Sequence, residues 1–228
     1  MTPPNAPARE RLDQEKLVVS ALAIADAEGL AAITIRRLAT EHGVTPMALY
    51  RHFRDKDELI HALADHLLES VPLPEPTDEP WDVQLRALFA ALAEVLTPHA
   101  EVAPLIPRRI LIAPGGLAIA ERALDLLARA GFDTDRAAAV GNQALCSVVN
   151  LIPFDPATLN IQDLELREDR IRAKRAALAR LSPRRYPRIT AAADALTGCV
   201  IKENFLDLGL DLIISGLRGL PASAPARD

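Results

Sequence analysis

Apolar positions recur at helical spacing through most of this chain, and the polar positions between them mark where helices start and stop. Leu17, Ala21, Ile24 and Glu28 share one stripe, with Val18, Leu22 and Ala25 beside it. That pattern predicts a helix from about Asp13 to Glu28, stopped by Gly29. Thr34 is placed to cap a second helix running to about His42, because its hydroxyl can accept from an otherwise unpaired backbone N–H. Gly43 suits the left-handed position that follows a helix end. Thr45 can cap a third helix, about Thr45–Phe53, and Pro46 at its first position loses no needed donor. Asp55, with Glu58 three residues on, opens a fourth helix from Asp57 to about Ser70, with Leu59, Leu63 and Leu67 on one stripe. Leu38, Val44, Leu49 and Phe53 fall where they can share a small core. Ala39 is small where two helices would cross. Met47, Ala48, Tyr50, Arg51 and His52 are left outside.

The segment from Val71 to Pro80, VPLPEPTDEP, breaks the fourth helix with prolines and reads as a short, stiff linker. Beyond it the pattern predicts helices at about 81–97, 102–112, 116–130, 134–152, 163–181 and 193–219, with Pro153 to Asn160 the least structured internal stretch. The predicted organisation is an arm over residues 1–10, a head over 11–70, the linker over 71–80, a helical body over 81–220 and a tail over 221–228. The last helix is apolar round most of its surface, with Glu203, Asp207, Asp211 and Arg218 as its clear polar stripe. Such a helix has to be buried on more than one side. Leu206, Leu210, Ile213 and Leu217, with the small Gly209 and Gly216, suit a close helix–helix seam. Ala137, Gly141, Ala144 and Ser147 give the 134–152 helix the same small-residue character. The two helices read as a core plus a subunit interface; one thick monomer core is the alternative.

Composition narrows the class. Half of the 228 residues are hydrophobic but only 4% are aromatic, so the core is built mostly of Leu, Ala, Ile and Val. This favours an all-α chain. No uninterrupted apolar run approaches the ~20 residues that span a bilayer, and the Pro- and charge-rich start does not read as a signal peptide. The expectation is therefore a cytoplasmic protein without a membrane partner. Cys146 and Cys199 read as buried free thiols. The net charge is −5, and residues 1–70 carry eight Lys and Arg against eleven Asp and Glu. Between residues 34 and 56 the balance reverses: Arg36, Arg37, Arg51, Arg54 and Lys56 face only Glu41 and Asp55. A local basic patch can steer phosphate while the whole remains acidic. The basic run from Arg167 to Arg188 is balanced by Asp163, Glu165, Glu168 and Asp169 and reads as a solvated helix face. Catalysis finds little support, since there is no glycine-rich phosphate loop, nucleophile elbow or close Cys/His set. His61 and His66, five apart, face different sides of a helix, and His61 with Asp65 reads as a surface pair.

The stretch ALAIADAEGLAAITIRRLATEHGVTPMALYRHFRDKDELIHALADHLLE, within Lys16–Ser70, resembles the DNA-binding domain of the TetR family of bacterial transcriptional regulators. Gly43-Val44, the run Leu49-Tyr50-Arg51-His52-Phe53 and Lys56 carry the likeness. The segment FLDLGLDLIISGLRGL, Phe205 to Leu220, is similar to the last helix of the tetracycline-repressor branch, as are Trp81 after an acidic linker and Gly131-Phe132 between helices. The resemblance implies a three-helix helix-turn-helix head joined through the fourth helix to a larger regulatory body. It implies a homodimer that presents its recognition helices to successive major grooves of palindromic double-stranded operator DNA. Half-site centres are then roughly 34–36 Å apart for one helical turn, or farther for larger operators. At Arg36 it implies a base contact, which an Arg can make through guanine O6 and N7, with Arg37 beside it. Thr45, Tyr50, His52 and Lys56 look like backbone positioners, with Arg51 in the same patch. Met47 and Ala48 match base-facing positions and can touch thymine methyls. Pro46 belongs to the same DNA-facing set and stands at a position that is often polar in relatives.

The resemblance also implies control by a small effector, hydrophobic or drug-like, that releases a repressor. A relative that activates, or one that needs no ligand, is the alternative; a helical enzyme is the alternative of another class. Gln143, Ser147 and Asn150 form a polar stripe on an otherwise small, apolar helix, and buried polar groups need partners: a ligand, the twin subunit or backbone. Phe89, His99, Ile106, Arg109, Phe154 and Tyr186 are further candidates for lining a pocket. The histidine-centred magnesium–drug clamp of the tetracycline repressors has no match here. Pro72 follows the fourth helix, and the 102–112 segment carries no His. No metal and no cofactor is expected.

Overall fold

The computed structural model describes residues 14–154, 161–198 and 205–221. The predicted arm, the tail beyond Pro221, Cys199, Val200 and Glu203 lie outside the described residues. The head contains α1 (Gln14–Glu28), α2 (Ile35–Glu41), α3 (Pro46–Leu49) and α4 (Lys56–Glu69). The body contains α5 (Trp81–Leu96), α6 (Ile106–Arg109), α7 (Pro114–Arg129) and α8 (Thr134–Leu151). It continues with α9 (Ile161–Ala179), α10 (Pro187–Ala191), α11 (Ala193–Gly198) and α12 (Phe205–Arg218). No strand occurs among the described residues, so the fold is all-α as the composition predicts.

The head follows its local signals closely. Thr34 Oγ1 accepts from Arg37 N at 3.1 Å, and Asp55 Oδ1 accepts from Glu58 N at 2.8 Å. Gly43 has φ 62°. Val44 N bonds back to Ala39 O and Gly43 N to Thr40 O, the paired closure that a left-handed residue permits after a helix. Thr45 departs from the expectation, because its side chain makes no capping bond. The third helix is also shorter than predicted. Its regular part ends at Leu49, and the chain winds on through Phe53 N to Leu49 O at 3.0 Å before the Asp55 cap restarts it.

Prolines and turns revise the body. The predicted 102–112 helix is a 3₁₀ turn, Ala103–Leu105, followed by the single-turn α6. Pro104 and Pro107 lack the N–H that a longer α-helix needs. Within the predicted 193–219 span, α11 and α12 are helical and residues 199–204 lie outside the described residues; α10 is an additional short helix. Cys146 is free but only half-buried. By length and composition Thr134–Phe154 would suffice to cross a membrane, which a count of unbroken apolar runs misses. Here it is a core helix, with Val140, Ala144 and Val148 buried.

One apolar core runs from α1 to α8 and takes in one face of α12. Leu17, Leu38, Leu49 and Phe53 close the head, while Leu59, Leu63 and Leu68 of α4 carry the core toward Leu85, Leu88 and Leu92 of α5. Helix α4 packs on α1, α6 and α7, and α12 packs on α5 and α8. Gly115 permits a close approach of α7 to α4. A Cβ there would lie 2.6 Å from Leu68 O, so the start of α7 rests directly on the end of α4. The linker is pinned by a residue the pattern did not single out: buried Gln84 donates from Nε2 to Thr77 O at 3.0 Å and Glu79 O at 2.7 Å. Trp81 meets Phe132 edge to face, with centroids 6.5 Å apart. Helix α9 packs against α10 and α11. Its Arg170, Arg172, Lys174 and Arg175 are exposed, in line with a solvated basic face.

Candidate nucleic-acid interface and body cavity

The turn between α2 and α3 holds its apolar side in the core and turns a basic and aromatic side outward. Met47 is 69% exposed and Tyr50 50%, while Arg36, Thr45, Pro46 and Arg51 are also exposed. Ala48 and His52 are half-buried at its edge. Arg36 makes no side-chain hydrogen bond or ion pair among the described residues, so its guanidinium stands free. Arg37 is placed differently. Its Nη1 and Nη2 donate to the Glu28 carboxylate at 2.8 and 2.6 Å, and its Nε donates to Glu41 at 3.1 Å. Hydrogen bonding to Glu28, then to Glu41, holds its pKa above the ordinary Arg value. Arg37 therefore braces α1 against α2. Lys56 Nζ donates to Ala31 O at 3.2 Å. Arg54 is tied to Glu58 through both its backbone N and its guanidinium.

Ion pairs join the head to the body. Arg109 of α6 grips Asp65 of α4 with both arms, Nε to Oδ1 at 2.7 Å and Nη2 to Oδ2 at 2.6 Å. Hydrogen bonding to Asp65 raises the Arg109 pKa from its ordinary value. The expected His61–Asp65 surface pair is thereby corrected, since Asp65 turns toward the body instead. His99 Nδ1 meets Asp26 Oδ2 of α1 at 2.9 Å. Burial raises the Asp26 pKa, with the attraction of His99 opposing it.

A cavity of about 120 Å³, open on one side, lies among α5, α7, α8 and the chain following α6. Phe89, Ile110, Ile119, Ala123 and Leu145 form its inner wall, and Leu111, Leu124, Ala138 and Asn142 stand toward its mouth. Of the pocket candidates, Phe89 lines it and the others do not; Gly141, expected at the subunit interface, lines it as well. Ile106 is fully buried in the core, Phe154 is 73% exposed, and Tyr186 lies under the Arg185 guanidinium. His99 and Arg109 are held by the ion pairs above. The α8 stripe finds backbone partners on its outer side: Ser147 Oγ donates to Gln143 O and Asn150 Nδ2 to Cys146 O, both at 2.8 Å. The lining side chains Ile110, Leu111, Ala123 and Asn142 were not singled out in the sequence. Ala123 and Asn142 recur at helical spacing with Ala120 and Ala138, a signal shared with any packed helix.

The last helix keeps its acidic stripe at the surface beside α5. Arg86 of α5 donates to Asp207 at 2.8 Å and to Asp211 at 2.7 Å, and Arg218 pairs with the buried Asp82. These pairs draw the acidic stripe against α5. Leu210 and Leu217 then turn into this chain's own core, as does Ala144. Leu206 and Ile213 are half-buried, and the Leu151 side chain covers Gly209. Leu208 and Leu212, 61% and 66% exposed, face outward with the open Gly216.

A small helical head with an outward basic turn, carried on a helical body with a cavity, is the architecture of a helix-turn-helix regulator. Residues 17–63 match the family described as bacterial regulatory proteins, tetR family, and residues 73–220 match the tetracyclin repressor-like C-terminal domain. The chain belongs to the TetR family of bacterial regulatory proteins. It is 32% identical over 141 residues to an HTH-type transcriptional regulator of Saccharopolyspora erythraea, covering 60% of each chain. It is 28% identical over 125 residues to the HTH-type transcriptional repressor DrrR1 of Streptomyces coeruleorubidus, covering 54% of this chain and 46% of that one. The chain thus spans about half to three-fifths of the length of these curated relatives. Among solved structures, ActR of Streptomyces coelicolor in complex with actinorhodin superposes with TM-score 0.78 at 29% identity, covering 91% of this chain and 95% of that one.

Proposed function

We propose that the chain acts in the cytoplasm as a homodimeric repressor that binds a palindromic operator and is released by a small hydrophobic effector. The observation that carries this reading is the free outward face of the α2–α3 turn, backed by a buried apolar core. Residues 11–70 act as the head, 71–80 as the linker and 81–220 as the body. Arg36 is the base reader, and Arg37 holds the helices that present it. Thr45, Tyr50, Arg51, His52 and Lys56 meet the phosphate backbone, and Met47 and Ala48 lie toward the bases. The uncapped Thr45 hydroxyl supports a phosphate role.

Exposed Leu208 and Leu212 on α12, beside the open Gly216, support pairing of the body with a second copy. An apolar helix face of this kind gains most when water is removed from it. The cavity supports an effector site, and its relation to α4 supports a lever. Ile110 lines the cavity, and its neighbour Arg109 holds Asp65 of α4. An effector that prefers one placement of Ile110 biases one placement of α4. It shifts the operator equilibrium only by its differential affinity for the two arrangements. ActR, a relative at 29% identity, has been solved with actinorhodin bound, which supports a ligand-responsive reading.

The test is fluorescence-anisotropy titration of a selected operator duplex and a random-sequence duplex. Arg36→Ala is expected to weaken the operator by about 1–3 kcal/mol while affecting random duplex less. Equal losses on both duplexes would remove the base-reading role.

A further inference from the structure

The lining of the body cavity defines a chemical class of effector, an inference that rests on the cavity being the effector site. None of the lining side chains is ionisable. Of the arginines that adjoin lining residues in sequence, Arg109 has Nε and Nη2 engaged by Asp65, and Arg122 turns toward Gln84, with Nη2 3.4 Å from Oε1. A charged ligand would leave water without meeting a counter-charge, and an unpaired buried charge is strongly disfavoured. The two long helices that flank the space contribute small side chains, Ala120 and Ala123 from α7 and Ala138 and Gly141 from α8. Facing surfaces with so little relief admit a flat ring system, and the fully buried Phe89 offers it an aromatic neighbour.

One polar side chain interrupts this surface. Asn142 lines the cavity on its exposed side, and its amide has no side-chain hydrogen bond among the described residues. An amide both donates and accepts, so it can pair with a hydroxyl or a carbonyl. We infer that the cavity takes an uncharged, fused-ring aromatic molecule whose edge hydroxyl or carbonyl is read by Asn142.

Calorimetric titration of the full-length protein at pH 7 with 2-naphthol, 2-naphthoate and 2-naphthylmethylammonium separates ring binding from charge selection. The expected result is 2-naphthol binding at least tenfold more tightly than either ion. Asn142→Leu should weaken 2-naphthol by about fivefold, the scale of one net hydrogen bond, and leave 2-methylnaphthalene unweakened. Ala120→Phe should abolish binding of every probe. Ala138→Phe, at the exposed rim, supplies the same block where packing is least at stake. If neither block changes 2-naphthol binding, or if no probe binds, the cavity is not the effector site and the functional reading loses its pocket. If both blocks abolish binding but the ions bind as well as 2-naphthol, or Asn142→Leu changes nothing, the cavity stands and the chemical class is overturned.

Discussion

Removing the Arg109–Asp65 pair should loosen the body's hold on the head. The two hydrogen bonds measure 2.7 and 2.6 Å, and the side chains are 17% and 28% exposed. Hydrogen bonds to charged groups contribute about 1.5–3 kcal/mol each when well shielded, whereas fully exposed ion pairs contribute about 0–1 kcal/mol. Partial exposure and the shared ion pair place the coupling between these limits, at about 2 kcal/mol. Arg109→Ala and Asp65→Ala should each lower Tm by roughly 4–8 °C, on the basis of 2–4 °C per kcal/mol for a chain of this size. The double variant should lose little more than either alone. The assay is urea unfolding of the four proteins as a double-mutant cycle, repeated as operator affinities. A coupling energy under about 0.5 kcal/mol is within ordinary additivity error and would refute the strength assigned to the pair. A normal coupling energy with unchanged operator affinity in all variants would leave a brace and remove the lever.

Three further outcomes follow from other contacts. Leu212→Glu places a charge on the outward face of α12 and should convert a dimer to monomers by analytical ultracentrifugation with little change in monomer helicity; a retained dimer would place the seam elsewhere. Gly115→Ala forces a Cβ to 2.6 Å from Leu68 O and should cost about 1–3 kcal/mol in unfolding experiments; an unchanged Tm would deny that close approach. For Asp26, burial raises the native pKa above the ordinary 3.8, so its contribution is fully present below that value and is lost as pH rises through the native value. Asp26→Asn should therefore gain stability relative to the unaltered protein as pH climbs above about 4, measured by urea unfolding across the acid range. A relative loss over that range would reverse the sign and reject burial as the dominant cause.

The helices of the head were legible because their signals are local. Thr34, Gly43 and Asp55 act within one turn of backbone, and the apolar spacing of Leu17, Leu38 and Leu59 needs no distant partner to be read. The all-α class followed from composition for the same reason. Short-range rules also have limits within their own range. Pro104 and Pro107 shortened α6 more than periodicity suggested, and Thr45 left its cap unmade.

Partnerships across long sequence separations depend on how the helices pack. Both Arg36 and Arg37 look available in the chain, but Glu28 reaches only one of them once α1 crosses α2. Asp65 looks like a partner for His61 until α6 brings Arg109 beside it. The acidic stripe of α12 suggests a wet face and stays exposed, but only packing pairs it with Arg86 of α5 and leaves Leu208 and Leu212 exposed too. The cavity is hidden for a related reason, since Ala120, Ala123, Ala138 and Gly141 resemble ordinary packing residues in one dimension. Their shared boundary exists only after α7 and α8 lie side by side. Periodicity reports which side of a helix is apolar, while the neighbour that meets that side is fixed by chain reversal and by the charges that find each other across it.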